Sequence, residues 1–169
     1  IKGVLDLTTT EWCDEIAGGV LAAGPDRCSA AALNGVPAVV SVGADDMVNF
    51  GPWDTVPEHY QSRNLYKHNP TVTLMRTTVE ENEQIGRAIA SKVNMSIGPC
   101  AVMLPLKGVS MIDAEGQPFY GPEEDAALFQ VLRDEIDPTK AELIEMDAHV
   151  NDDEFAIAAA QKLIDLMNQ

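Results

Sequence analysis

Ala101-Val102-Met103-Leu104, followed by Lys107-Gly108-Val109-Ser110, is the stretch that decides the fold of this chain. An unbroken apolar run is typical of a strand buried on both faces, and the turn residues after it mark its carboxyl end. The same order of apolar run and polar cluster recurs at residues 3–5, 37–40, 72–75 and 143–146. Helical patterns alternate with these runs. We therefore predict an α/β fold with a three-layer, doubly wound, mostly parallel sheet of the Rossmann-like type and helices on both faces.

Five segments have helical signals of different strength. Residues 78–97 show apolar residues at four-residue spacing, opened by Thr78 and Glu81 in the arrangement of a capping box. A second helix begins at Pro122, and a third is capped by Asn151. The predicted inner face of the third helix is Ala156, Ala160, Leu163 and Met167. Weaker helices are predicted over residues 11–23 and 27–34. Residues 47–70 lack periodicity and are predicted to form a long connection without a clear helix or strand.

Length, composition and charge restrict the class of protein. At 169 residues with 46% hydrophobic content, the chain is predicted to form one α/β domain over residues 1–169. The net charge of −16 argues against nucleic acid and anionic membranes as partners, because both bind through many Lys and Arg contacts. No apolar stretch approaches a membrane span and no leader pattern is present, so we expect a cytoplasmic location. The chain starts with Ile1, and we expect it to be part of a longer protein.

Polar residues follow each predicted strand and define a candidate ligand site. Carboxyl ends of parallel strands share one sheet edge, where open α/β folds bind their ligands. The residues predicted to meet at that edge are Asp6, Asp46, Arg76, Ser110, Asp147 and His149. Their convergence would create a single site.

The segment Asp147-Ala148-His149-Val150-Asn151-Asp152 ends one strand and opens a helix. Asp147 and His149 are predicted to face the ligand, while Asn151 and Asp152 start the helix. Asp46, Asp147 and Asp152 also supply the oxygen ligands that Mg²⁺ prefers, so a magnesium ion is considered. The alternative is that the whole segment only caps the helix.

The segment Arg76-Thr77-Thr78 combines a guanidinium, two hydroxyls and a helix N-terminus, which together suit an anion such as phosphate. The equally weighted alternative is an ordinary Thr cap with Arg76 paired to a nearby Asp. Thr9 and Thr10 repeat this geometry after the first strand, although capping explains most of it.

The turns at Gly43 and Gly108 are candidates for close backbone approach to a ligand, with Ser110 as a hydrogen-bond donor. Neither a P-loop nor a dinucleotide-binding glycine motif is present. A hydrolytic triad of Ser110, His149 and Asp147 is a minor alternative, because Ser110 lacks a nucleophile elbow.

Several long blocks of the chain resemble the Tm-1-like ATP-binding family. They include GADDMVNFG at residues 43–51 and DAHVND at residues 147–152; the others are residues 3–6 with 8–11, 68–70 with 72–78, and 104–106 with 108–110. The blocks cover nearly the whole chain in the right order. The resemblance implies two consecutive α/β domains, of which this chain is the second, and a nucleotide ligand. A plant member of that family binds ATP and inhibits tobamovirus replication, whereas most bacterial members have no assigned reaction.

Three functions therefore stand as expectations. The leading one is binding of ATP or another small phosphorylated ligand, with an N-terminal domain of the same protein completing the site. The second is a Mg²⁺-dependent phosphoryl-transfer or hydrolytic enzyme that uses Asp46, Asp147 and His149. The third is a protein-interaction module whose polar clusters only cap helices. Aromatic residues of the 47–70 segment, Phe50, Trp53 and Tyr60, further predict a homodimer or higher homo-oligomer.

Overall fold

A computed structural model describes all of residues 1–169. In chain order its elements are β1 (Val4–Thr8), α1 (Glu11–Ala17), α2 (Ser29–Asn34), β2 (Ala38–Gly43), β3 (Met47–Phe50), β4 (Leu65–Asn69), β5 (Val72–Arg76), α3 (Val79–Val93), β6 (Cys100–Pro105), α4 (Pro122–Glu135), β7 (Glu142–Met146) and α5 (Asp153–Met167). Four of the strands form a parallel sheet in the order β1-β2-β6-β7. The two central strands, β2 and β6, are buried at every residue, which explains their unbroken apolar runs. The predicted α/β class and parallel sheet are confirmed.

A second, antiparallel sheet has the order β3-β5-β4. The prediction that residues 72–75 join the parallel sheet is wrong, because β5 is the central strand of this small sheet. The expectation of no clear element in residues 47–70 is also wrong, since β3, β4 and two 3₁₀ turns lie there. An apolar run predicts that a strand is buried, but it does not show with which other strands that strand pairs. β4 also escapes detection because residues 67–69 are exposed and polar.

The strand order runs in one direction without the reversal that defines a doubly wound sheet, so that part of the prediction is wrong. Helices α1 to α4 contribute to one apolar core with Val40, Val42 and Val102 of the parallel sheet. Only α5 covers the opposite face, through contacts with β1, β2 and β6. Right-handed crossovers that advance in one direction place their helices on one face, which accounts for this asymmetry.

The helices match their sequence signals best at their starts, although the prediction that Asn151 caps α5 is wrong, because Asp152 is its N-cap residue. Thr78 and Glu81 form the predicted capping box of α3. α1 ends at Gly18, where φ is 75°, instead of continuing to residue 23. The predicted inner face of α5 is shifted, because its buried residues are Phe155, Ala159 and Leu166. An Ala-rich helix shows little contrast between its faces, so the large Phe155 decides the orientation. None of the helices combines the length and the apolar composition that a bilayer crossing requires.

Candidate functional site

The two sheets meet beyond the carboxyl end of β2, at Asp45 and Asp46. The Thr77 amide donates a hydrogen bond to the Asp46 carbonyl oxygen over 3.0 Å, and the Ala44 amide donates to the Val109 carbonyl oxygen over 2.8 Å. Both aspartate side chains are fully buried. Many of the predicted site residues therefore join a polar network inside the protein, beneath its surface.

Ser110 connects Asp46 to His149 within this network. The Ser110 hydroxyl donates to Asp46 Oδ2 over 2.6 Å, while His149 Nε2 lies 2.9 Å from the Ser110 carbonyl oxygen. His149 Nδ1 accepts from the Asn151 amide at 3.1 Å, so the ring proton is on Nε2. Nε2 therefore donates the hydrogen bond to the Ser110 carbonyl oxygen. The hydroxyl of Ser110 is thus held by Asp46 and not by the imidazole. The triad alternative is not supported, because His149 is not placed to take the Ser110 proton.

Asp46 itself is an unusual acid. Burial raises its pKa to about 6, against the opposing effect of the hydrogen bond from Ser110. Its Oδ1 atom is buried without a hydrogen-bond partner. Asp46 consequently changes between its neutral and charged forms at about pH 6, well above the range of an ordinary aspartate.

Arg76 is part of the scaffold in this structure. Its Nε donates to the Phe119 carbonyl oxygen over 2.8 Å, and its Nη2 donates to the Gly121 carbonyl oxygen and to Asp125 Oδ1 over 3.2 and 2.7 Å. Only 6% of its side chain is exposed. The structure thus shows the second alternative stated for this residue, an arginine paired to a nearby aspartate.

The α3 N-terminus is also occupied. The Thr78 hydroxyl accepts from the Glu81 amide, and the Glu81 carboxylate accepts from the Thr78 amide. Glu80 and Glu81 add negative charge in the first turn. A phosphate at this helix end would have to displace these contacts and approach two carboxylates.

The remaining Thr and Gly candidates hold the strand ends together. Thr9 donates to Asp45 Oδ2 over 2.9 Å, and Thr77 donates to the Asp45 carbonyl oxygen over 2.9 Å. The Thr10 hydroxyl donates to the Met47 carbonyl oxygen. A Cβ atom on Gly43 would lie 2.4 Å from the Leu7 carbonyl oxygen, so Gly43 permits close contact between β1 and β2.

The acidic candidates do not form a common metal site. Asp147 has 84% of its side chain exposed and pairs with Lys107 over 2.9 Å, whereas Asp46 is buried. The exposed Asp152 accepts from the His149 amide, and Asp6 forms an ion pair with Arg27. No three His, Cys, Asp or Glu side chains are grouped to hold a metal ion. The residues suggested for Mg²⁺ therefore do not fit that ion together.

An open cleft of about 610 Å³ lies between the end of β6, the following loop and α4. It is lined by Leu106, Lys107 and Gly108 after β6, by Asp113 and Tyr120 of the loop, and by Asp125, Phe129 and Arg133 of α4. The sequence predicted Gly108 in this set and missed Asp113 and Asp125. Asp125 resembles an ordinary first-turn helix acid in the sequence, and Asp113 lies in a segment without periodicity, so neither gave a usable signal.

Asp113 and Asp125 surround Arg76 at the base of this cleft. Arg76 Nη2 lies 3.5 Å from Asp113 Oδ1, and the Val109 and Gly121 amides also donate to the Asp113 carboxylate. Burial raises the pKa of Asp125 to about 8; Arg76 opposes this change and Asp113 adds to it. The base of the cleft therefore combines a structural ion pair with a carboxyl group that retains a proton near neutral pH.

A smaller cleft of about 380 Å³ lies between the antiparallel sheet and residues 110–112. Asn49, His68, Ser110 and Met111 are among its lining residues. Its walls are formed mainly by Met and aliphatic side chains, and Met111 is 72% exposed.

Comparison with known proteins assigns the chain to a family. The profile of the uncharacterised protein family UPF0261, C-terminal domain, matches residues 1–167. The chain belongs to this family. A UPF0261 protein of Clostridium tetani is 60% identical over 169 residues, covering 100% of this chain and 42% of the relative. UPF0261 protein RA0729 of Rhizobium meliloti is 50% identical, covering 99% of this chain and 42% of the relative.

Tomato proteins are also related to this UPF0261 domain. The ToMV resistance protein Tm-1(GCR237) of Solanum lycopersicum is 42% identical over 167 residues, which cover 98% of this chain and 22% of the tomato protein. The resemblance to the Tm-1-like family drawn from the sequence is thus confirmed. The chain spans less than half the length of each of these three relatives.

Proposed function

We propose that this UPF0261 domain binds a small ligand, with ATP or another phosphorylated metabolite as the ligand class, in the cleft between β6 and α4. The observation that carries the proposal is the cleft itself. Its volume of about 610 Å³ lies within the range of roughly 300–1,000 Å³ that is usual for small-molecule sites. It opens beside the carboxyl end of β6, the edge at which open α/β sheets bind ligands.

The lining of the cleft supports this choice of site over the buried network. Leu106, Tyr120 and Phe129 provide apolar and aromatic contact surface, and Lys107 and Arg133 contribute positive charge. Such a mixture of apolar walls and a few polar groups is typical of cofactor and substrate pockets. The resemblance to the Tm-1-like ATP-binding family supports a nucleotide as ligand. Arg76, first considered as a phosphate ligand, instead supports the cleft from behind through its hydrogen bonds to Phe119, Gly121 and Asp125.

A longer protein would complete the site. Because the bacterial relatives are more than twice as long, we propose that residues 1–169 are one α/β domain that follows an N-terminal domain. The outer face of α5 offers a contact surface, since Ile157 is 68% and Ile164 50% exposed. Homo-oligomerisation is proposed in addition, through the exposed Trp53.

The enzymatic alternative receives no specific support. Asp46, Asp147 and His149 have different environments: the first is buried, the second is on the surface, and the third has both ring nitrogens engaged with backbone groups. Binding of a ligand is therefore the function that the geometry favours.

Filling the cleft tests the proposal. Ala126 is exposed on α4 and lines the cleft, so Ala126→Trp should occupy the ligand space with little effect on folding. Ala30→Trp, on the exposed side of α2, is the matched control. Isothermal titration with ATP, carried out on the full-length protein, should show binding to the wild type and to Ala30→Trp, and at least about tenfold weaker binding to Ala126→Trp. Equal affinity in all three proteins would exclude this cleft.

A further inference from the structure

The smaller cleft of about 380 Å³ is built on one face of the antiparallel sheet. Side chains alternate between the two faces of a strand, and Val48 and Met75 belong to the apolar core. Their neighbours Met47, Asn49 and Leu74 therefore face the opposite side, where they line the cleft. Its volume is sufficient for a small molecule.

The side-chain amide of Asn49 has a fixed orientation in this cleft. Its Nδ2 donates to Thr10 Oγ1 and to Asp14 Oδ1, each over 3.2 Å. Thr10 is an acceptor here, because its own proton goes to the Met47 carbonyl oxygen. Asp14 is an acceptor as well, since it also accepts from the backbone amides of Asn49 and Leu21. The amide group therefore cannot be reversed, and its oxygen points away from both partners.

That oxygen, Asn49 Oδ1, is an acceptor without a partner in the protein. Asn49 is only 8% exposed, but its Oδ1 is not fully enclosed, so a molecule in the cleft can reach it. Two other polar groups of the cleft are engaged. The Ser110 hydroxyl donates to Asp46 and accepts from the Ile112 amide, and Asn69 Oδ1 accepts hydrogen bonds within its own turn. A bound N–H or O–H donor would pair the one acceptor that is left.

The cleft carries no fixed charge. None of its nine lining residues is Lys, Arg, Asp or Glu, and His68 is the only titratable one. Val72, Met111 and Ile112 add apolar surface. A phosphate would find no fixed positive charge here, and the net charge of −16 further disfavours anions. The lining thus suits an uncharged molecule with an apolar body.

We propose that this cleft is a second ligand site, which takes an uncharged, mainly apolar molecule and holds it by an N–H or O–H group that donates to Asn49 Oδ1. The inference goes beyond the proposed function and does not depend on it, because the two clefts share no lining residue. Asn49 is then the specificity-determining residue, since a molecule without a donor would leave its oxygen unpaired.

The first test uses indole and benzofuran, which are similar in size and shape, although only indole has an N–H donor. Full-length protein labelled with ¹³C at its methionine methyl groups reports binding by NMR through Met47 and Met111. Indole should shift both signals and leave that of Met95, outside the cleft, unchanged. Benzofuran should bind about tenfold or more weakly. Unshifted Met47 and Met111 signals overturn the site, and equal affinities for the two probes overturn the role of Asn49.

The second test changes the cleft. In the full-length protein, Val72→Trp should fill it from β5 and weaken indole binding about tenfold or more. Thr71→Trp places the same side chain on the neighbouring exposed residue, outside the cleft, and should leave the affinity within about twofold. Unchanged binding in folded Val72→Trp overturns the site.

The third test removes the acceptor. Asn49→Ala should bind indole no more tightly than benzofuran, because the oxygen that distinguishes the two probes is gone. Thermal melting without ligand verifies that each variant folds, and the comparison of the two probes on the wild type tests the acceptor independently of that result. A preference for indole that persists in folded Asn49→Ala overturns the role of Asn49.

Discussion

At the scale of single residues, the position of Arg76 determines its role. Its guanidinium joins the loop after β6, through Phe119 and Gly121, to Asp125 at the start of α4. The same residue therefore fixes two walls of the cleft. Removing one partner of a buried ion pair is costly, because the remaining charge stays in a poorly solvated place.

Arg76→Ala should consequently destabilise the fold strongly. We expect a loss of about 3–5 kcal/mol in the free energy of unfolding. Arg87→Ala is the matched control, since Arg87 is 50% exposed and pairs with Glu83 and Glu135 at the surface; it should cost less than about 1 kcal/mol. Urea denaturation followed by circular dichroism measures both. Similar small losses for the two variants would contradict the scaffold role of Arg76.

Asp46 and Asp125 should make stability fall as pH rises. Their folded-state pKa values are raised to about 6 and about 8 from an ordinary value of 3.8, chiefly by burial. Between the ordinary pKa of 3.8 and the raised value of each group, the folded protein holds a proton that the unfolded chain has released. The free energy of unfolding therefore decreases as the pH rises from about 4 to about 8. Urea denaturation at a series of pH values should show this decline.

Asp125→Asn should flatten the upper part of that decline, between about pH 6 and about pH 8, because the amide does not titrate. Glu123→Gln, in the same helical turn, should retain the wild-type slope. A wild-type protein whose stability is constant across this range would show that the two carboxyl groups are ionised in the folded state.

At the scale of elements, the loop from β6 to α4 shapes the cleft through its backbone. Gly108 has φ of 130°, and a Cβ atom there would lie 2.1 Å from the Asp113 carbonyl oxygen. Gly116 in the same loop also has positive φ, at 81°, but no atom lies within 4 Å of its Cβ position. Gly108 is thus required both because a side chain there would clash and because its φ is positive. Gly116 is required only because its φ is positive.

Gly108→Ala should therefore destabilise more than Gly116→Ala. The left-handed conformation costs about 1–2 kcal/mol in a substituted residue, and crowding at Gly108 adds about 1–3 kcal/mol or more. Thermal and urea denaturation of the two variants gives the comparison. A loss at Gly108 no larger than that at Gly116 would mean that the loop relaxes away from Asp113.

At the scale of the whole molecule, two exposed apolar surfaces are candidates for contacts with other proteins or domains. α5 presents Ile157 and Ile164, and the segment between β3 and β4 presents Trp53, which is 47% exposed. The sequence predicted that Phe50, Trp53 and Tyr60 would together form an interface. Phe50 is instead buried, and Tyr60 is half-buried against the core with its hydroxyl donating to the Ala17 carbonyl oxygen. Of the three residues, only Trp53 is exposed.

Self-association remains a prediction with a direct test. Sedimentation velocity at rising protein concentration should show a dimer or larger species that weakens in Trp53→Ser, because large aromatic side chains dominate interface energies. Leu33→Ser, which removes an exposed apolar residue of α2, serves as the control. A monomer at all concentrations would remove the homo-oligomer from consideration.

The sequence by itself determined the α/β class, the four parallel strands, and the start and cap of α3. These features depend on residues a few positions apart, such as Thr78 and Glu81, so local patterns disclose them. The placement of β5, the uniform strand order and the burial of Arg76 came only from the tertiary structure. They depend on partners such as Asp46 with Ser110, 64 residues apart, and Arg76 with Asp125, 49 residues apart. A charged side chain has the same local pattern whether it faces a ligand or an internal partner, and only packing distinguishes the two.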